Sequence, residues 1–183
     1  MTKASSSINN KNSFHSLAIT RQTSLEVENF CQNGQQKKLH YVIKNNPFLI
    51  EVAIARNETN GQTVKELDFD DVTLEASLLY DCNEDKKVAC LKVQPLSYKG
   101  IIKEGDSKTC VLELTIGVLS SQHEDMNFKI LIQAVDANSN SKIANLCICP
   151  EPVQVISKPD VLRKKNFLLF LENQLQTQQF WIN

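Results

Sequence analysis

Apolar and polar residues alternate with a period of two through most of this chain. Leu25-Glu26-Val27-Glu28-Asn29-Phe30 sets the pattern, with Leu25 and Val27 on one face. The same period returns in residues 39–44, 48–56, 72–80, 88–93, 110–118, 128–135, 143–149 and 153–156. Within 48–56 the apolar face is Phe48, Ile50, Val52 and Ile54; the 110–118 run carries Val111, Leu112, Leu114 and Ile116. β-Branched and aromatic residues dominate these runs, and short polar loops separate them, so each reads as a strand. Eight or nine short strands with no helix between them predict an all-β fold, an antiparallel Greek-key sandwich. A parallel sheet would need crossovers of a dozen or more residues, and none is present.

The period changes near the C-terminus. Val161, Leu168, Leu175 and Ile182 recur every seven residues, with Leu171 on the same side. One amphipathic helix of about 20 residues is expected, with Asp160 after Pro159 as its N-cap. Its apolar stripe has two uses that the pattern leaves open: docking on its own sandwich, or pairing with a second copy or another protein.

Composition narrows the class. A chain of 183 residues with 42% hydrophobic and 22% charged positions folds as one domain. Lys and Arg number 20 against 21 Asp and Glu, a net charge of -1, which excludes a histone-like polymer binder but allows a local basic patch. Residues 1–24, rich in Ser, Asn, Thr and Lys, read as a disordered tail; 25–158 form the sandwich, and 159–183 a basic segment with the helix. Neither a signal-peptide apolar run nor 18 consecutive apolar residues occurs, so the expected compartment is nucleus or cytosol, without membrane contact. The sequon at Asn57 then reads as a chance match.

Chemistry of the catalytic or metal-binding kind finds little support. The six cysteines show no CxxC spacing, and Cys147 and Cys149 point to opposite faces of a strand. Cys90, Cys110 and Cys147 lie in apolar runs and read as small core hydrophobes. The histidines, His15, His40 and His123, stand in no catalytic motif, so neither enzymatic activity nor a cofactor is expected. Asp68, Asp70 and Asp71, then Asp81, Glu84 and Asp85, form two acidic clusters whose spacing is not that of a calcium loop; they read as solvated turns.

Strand direction points to a different function. If 110–118 runs up the sandwich, the 119–127 loop caps its top and 128–135 runs down. The next strand climbs again through 143–149. Pro150-Glu151-Pro152 cannot pair in a central ladder and should kink the strand or switch it between sheets. Residues 153–156 still head up, so Lys158, Arg163, Lys164 and Lys165 should emerge beside Ser120, Ser121, Gln122 and His123. Hydroxyls, an amide, an imidazole and four cations at one end suit double-stranded DNA: cations and hydroxyls for phosphates, amide and imidazole for base edges. The other reading is a protein-interaction module that associates through its C-terminal helix or an edge strand.

Two stretches carry a resemblance. Leu114-Thr115-Ile116-Gly117-Val118-Leu119-Ser120-Ser121-Gln122-His123, with Asn127-Phe128-Lys129-Ile130, resembles a strand–loop–strand of Rel-like and CudA-like transcription factors. Residues 150–159, followed by Arg163-Lys164-Lys165, resemble the strand that closes those domains and leads into their basic stretch. The resemblance implies an immunoglobulin-like DNA-binding sandwich in a nuclear transcription regulator, with contacts from loops at one end. It points to Ser120, Ser121, Gln122 and His123, then to Lys158, Arg163, Lys164 and Arg56. Lys37, Lys38 and Lys165 join them as expected phosphate contacts.

Overall fold

The computed structural model describes residues 15–32, 34–56, 66–82, 84–89, 93–165 and 167–168. Ten strands follow one another: β1 (His15–Gln22), β2 (Glu26–Gln32), β3 (Gln35–Ile43), β4 (Pro47–Arg56), β5 (Val72–Tyr80), β6 (Leu96–Lys103), β7 (Asp106–Ile116), β8 (Phe128–Asp136), β9 (Lys142–Ile148) and β10 (Val153–Ile156). A four-stranded sheet has the order β1-β4-β7-β6; the second runs β2-β3-β10-β8-β5, with β9 also paired to β8. With the β2–β3 hairpin set aside, these are the A-B-E-D and C-F-G orders of an immunoglobulin-like sandwich, β9 and β10 together filling the last place.

Alternation builds the core. Phe48, Ile50, Val52 and Ile54 of β4 join Leu112, Leu114 and Ile116 of β7 and Phe128, Ile130, Ile132 and Ala134 of β8 in one apolar cluster between the sheets. Both proline-flanked strands lie along the same edge of β8, where Ile148 pairs with Ile132 and Val153 with Phe128. Proline lacks the N–H a ladder needs, so pairing breaks at 150–152 and resumes in the same direction. The break is therefore a kink within one sheet. Beyond it β10 takes β3 as a parallel neighbour, Ile156 opposite Ile43.

Two strands escape the sequence pattern because each lies at a sheet edge. Residues 15–22 were expected in the disordered tail, yet they form β1 against β4, with only Leu17 of the strand buried. Edge strands need one apolar contact row, and a polar composition hides it. β6 likewise has only Leu96 buried. The strand expected at 88–93 is not formed in its described part: Lys87 makes an isolated bridge to Leu79, Val88 is buried, and 90–92 lie outside the described residues. In β9 the buried residue is Leu146, so Cys147 is exposed rather than in the core; Cys110 is buried as expected, and its thiol is pushed up by burial.

Residues 159–165 and 167–168 are helical (α1). The helix opens at Pro159, so Asp160 lies in its first turn, where it pairs with Arg163, instead of capping it. Leu162 packs with Leu39, Tyr41 and Ile156 in a second apolar cluster. These β3 positions alternate with core-facing Val42, so the cluster lies on the outer face of the six-stranded sheet. Leu168, the next heptad residue, is exposed, while Leu175 and Ile182 lie outside the described residues.

Candidate nucleic-acid interface

Register brings four chain segments to one end of the sandwich. Pro47 pairs with Thr115, Leu96 with Ile116, Tyr80 with Phe128, and Ile43 with Ile156. The 44–46 turn, residues 81–82 and 93–95, the 117–127 loop and residues 157–158 therefore share this upper end. Gly117 lets two of them meet: a Cβ there would stand 3.2 Å from the Gln94 carbonyl oxygen, and the Gly117 N–H donates to Pro95.

The loop from β7 to β8 folds into a single 3₁₀ turn, Ser120–His123. Ser120 is 1% exposed, and its hydroxyl accepts the Val155 N–H at 3.0 Å. A buried hydroxyl cannot reach DNA; Ser120 ties the loop to β10, which corrects its expected contact role. Ser121 and Gln122 are exposed. The Gln122 carbonyl oxygen accepts the Leu119 N–H at 3.1 Å. His123 stacks among Tyr80 and Phe128, edge-on to the latter, and its Nδ1 lies 2.8 Å from the Tyr80 hydroxyl. Glu124 and Asp125 both take left-handed backbone angles and turn the chain back into β8.

His123 and Gln122 stand between two recesses. One, of about 440 Å³, is also lined by Tyr80, Cys82, Glu84, Lys86, Glu124 and Met126. The other, of about 300 Å³, is lined by Lys44, Ala89, Val93, Gly117 and Val118. Lys129 holds the 81–85 segment in place: it pairs with Asp85 at 2.9 Å and donates to the Cys82 carbonyl, and the Asp85 bond raises its pKa. The sequence reading missed Tyr80, Lys44 and Lys86. Only pairing across strands shows them at this end, and no local motif marks them.

Not every expected contact gathers here. Lys158, Arg163 and Lys164 are exposed on the chain leaving β10 and on the first turns of α1. Lys165 instead turns onto the outer sheet face, donating to the Tyr41 hydroxyl at 2.6 Å and pairing with Glu28 at 3.2 Å. Tyr41 in turn donates to Glu28. Its bond holds the Glu28 carboxyl below the usual range; burial pulls Lys165 down, but its bonds to Tyr41 and Glu28 outweigh that and raise it. Arg56 ends β4 nine positions from Pro47, at the opposite end of the sandwich and about 30 Å away. Lys37 and Lys38 lie on β3, below its upper end. Lys38 lines a side cleft of about 580 Å³ with Arg21, His40 and Glu151. There burial lowers the pKa of His40.

The acidic clusters are otherwise engaged. Asp68 accepts the N–H groups of Asp70 and Asp71 in a turn, and Asp85 pairs with Lys129. Among the described residues no group of three or more His, Cys, Asp or Glu is placed to hold a metal ion. No described helix is long and apolar enough to cross a membrane.

Comparison with known proteins places this sandwich among relatives. The chain is 39% identical over 150 residues to "Putative transcriptional regulator cudA" of Dictyostelium discoideum, an alignment covering 81% of this chain and 18% of that protein. A second protein of that organism is 38% identical over 151 residues, covering 81% of this chain and 27% of its own length. The organism's Developmental gene 1062 protein is 28% identical over 179 residues, covering 78% and 28% respectively. The chain thus spans a third or less of the length of these relatives. The DG1062 N-terminal domain model matches residues 18–181, which take in nearly all of the described strands and the described part of α1. The chain belongs to the DG1062 N-terminal domain family.

Proposed function

We propose that this domain is a sequence-specific double-stranded-DNA-binding module of a nuclear transcription regulator, without enzymatic activity. The observation that carries the reading is the convergence of four segments at the upper end, with exposed Gln122 and Lys158 beside half-buried His123 and Lys44. The 39% identity to a protein whose printed name is that of a transcriptional regulator supports the same reading, and the sandwich strand order is compatible with it. Lys158, Lys164 and Arg163 serve the phosphates, and Gln122 and His123 the groove edge. Lys165, bound to Tyr41 and Glu28, holds α1 to the sandwich; Arg56 is too far to join the same contact surface.

Selection of a randomised duplex pool by the purified chain, repeated at low and near-physiological salt, tests this. The expected result is a defined motif that survives the higher salt. Binding that vanishes with salt and enriches nothing would reduce the domain to a charge contact, and no binding at all would remove the reading.

A second reading has its own observation. Val161, Phe167 and Leu168 are exposed on α1, while Leu162 is the one apolar residue among the described part of the helix that is buried, so the helix offers further apolar surface to another copy or a protein partner. Sedimentation equilibrium of the chain and of a Leu168→Glu variant decides it: self-association lost in the variant supports the reading, and a monomeric parent chain ends it.

A further inference from the structure

We infer that the side cleft below the upper end is a strand-addition site for an extended peptide with acidic side chains, a function separate from the DNA reading and independent of it. The cleft exists because the six-stranded sheet splits. β10 pairs with β3 only from His40 upward, Val153 opposite His40, while β9 is paired to β8. Residues 35–39 of β3 thus have β2 on one edge and, among the described residues, no strand on the other. The open length is about 17 Å. Proline is the cause. The His40 N–H donates to the Pro152 carbonyl at 2.9 Å, so even-numbered residues of β3 turn their backbone groups to this edge. In a continued parallel ladder the Lys38 carbonyl would accept the N–H of residue 152, and Pro152 has none. Among the described residues the Lys38 N–H finds no partner across the cleft either.

Side chains choose the occupant. Lys38 and His40 alternate with Leu39 and Tyr41 of the outer-face cluster, so they point inward, toward the four-stranded sheet. Arg21 of β1 lines the cleft from that sheet, and Glu151 stands on its wall, held there by the Gln22 side chain, which donates to the Glu151 carbonyl at 3.0 Å. Arg21 and Lys38 are exposed, and among the described residues neither has an ion pair. Buried His40 bonds Ser24 through Nδ1, at 3.0 Å. Two unpaired cations against one carboxylate favour an acidic ligand. A strand laid on β3 sends every second side chain inward, where carboxylates meet Arg21 and Lys38. Its backbone matches an edge on which N–H and C=O groups alternate. A nucleic-acid phosphate can use only the N–H groups and would face the carbonyls and Glu151.

The test titrates the full, nitrogen-15-labelled chain with a capped octapeptide that alternates glutamate and valine. The expected result is amide shifts confined to residues 19–22 and 36–40, with slowed exchange of the Lys38 N–H. Two control peptides separate charge from pairing: one with lysine in place of glutamate, and the glutamate peptide N-methylated at every residue. Both should bind at least about tenfold more weakly. Arg21→Glu with Lys38→Glu, two exposed positions, should reverse the preference, so that the lysine peptide moves the same amides. No shift at millimolar peptide, shifts elsewhere, or equal binding of either control would each overturn the inference, as would an unchanged preference in the double variant. A DNA duplex that moves the same amides more strongly than the peptide would also overturn it, and would make the cleft part of the DNA contact.

Discussion

Ser120 and Gln122 show how much a single side chain decides within a polar loop. By residue type both suit DNA, and in the sequence they are equivalent members of Ser-Ser-Gln-His. In the fold the first is buried against β10 and the second exposed. What separates them is one long-range bond, the Val155 N–H to the Ser120 hydroxyl across 35 residues, which no local pattern announces. Ser120→Ala leaves that N–H without a partner in a buried site. The expected cost is about 1–3 kcal/mol of unfolding free energy, measured by urea denaturation. A loss under about 0.5 kcal/mol would mean the hydroxyl is replaceable by water. Gln122→Ala, by contrast, should leave stability nearly unchanged and alter the selected motif, which pool selection reads directly. Residue type thus located the candidate loop, while the division between anchor and contact residue depends on pairings made far along the chain.

At the scale of elements, the legible parts are those with one face fully buried. β5 and β10 begin and end where the alternation does, at 72–80 and 153–156. β1 and β6 were hidden because an edge strand fully buries a single side chain, Leu17 or Leu96; the rest of β6 is exposed, and β1 adds only half-buried Ala18 and Ile19 to its polar positions. α1 was read as a helix whose heptad, Val161 and Leu168 included, could dock on the sandwich or pair with a partner; those two are exposed, and Leu162, outside the heptad, is the residue buried on the sheet. The sheet, by offering Leu39, Tyr41 and Ile156, chose the anchor. Leu162→Ala should release α1 at a cost of about 2 kcal/mol, with the sandwich still folded, seen as faster amide exchange confined to the helix.

The same latch has a pH signature. The Glu28 carboxyl is held below its ordinary range chiefly by the Tyr41 hydroxyl, so its contribution is full above the ordinary glutamate range and is lost as pH falls through the depressed value. Lys165 is raised, so its contribution is present through neutral pH and lost only in strong alkali. Both groups are partly exposed, and screening limits the effect to at most about 1 kcal/mol. Glu28→Gln should remove the acid-side loss between pH 7 and pH 3.5 that the parent chain shows in matched urea titrations. Equal slopes in the two proteins would show that Glu28 does not hold the helix.

On the whole-molecule scale, a net charge of -1 limits what electrostatics alone can do. DNA binding by such a chain depends on where its cations stand, because the total supplies no attraction. The upper end is itself mixed: Lys44, Lys86 and Lys158 share it with Glu84, Glu124 and Asp125. Phosphates should therefore be met at its margin, where Lys158, Arg163 and Lys164 leave β10, and bases at its centre. That arrangement was half legible. Strand direction alone put the basic segment and the 119–127 loop at one end, but Arg56 could be excluded only once β4 was seen to carry it to the other. Each phosphate contact releases about 0.9 counterion, so Arg163→Ala with Lys164→Ala should flatten the slope of log affinity against log salt by roughly two. The motif chosen by Gln122 and His123 should stay the same. If the slope is unchanged, these cations do not touch phosphate; if the motif changes with them, the margin and the centre of this surface are not separate contacts.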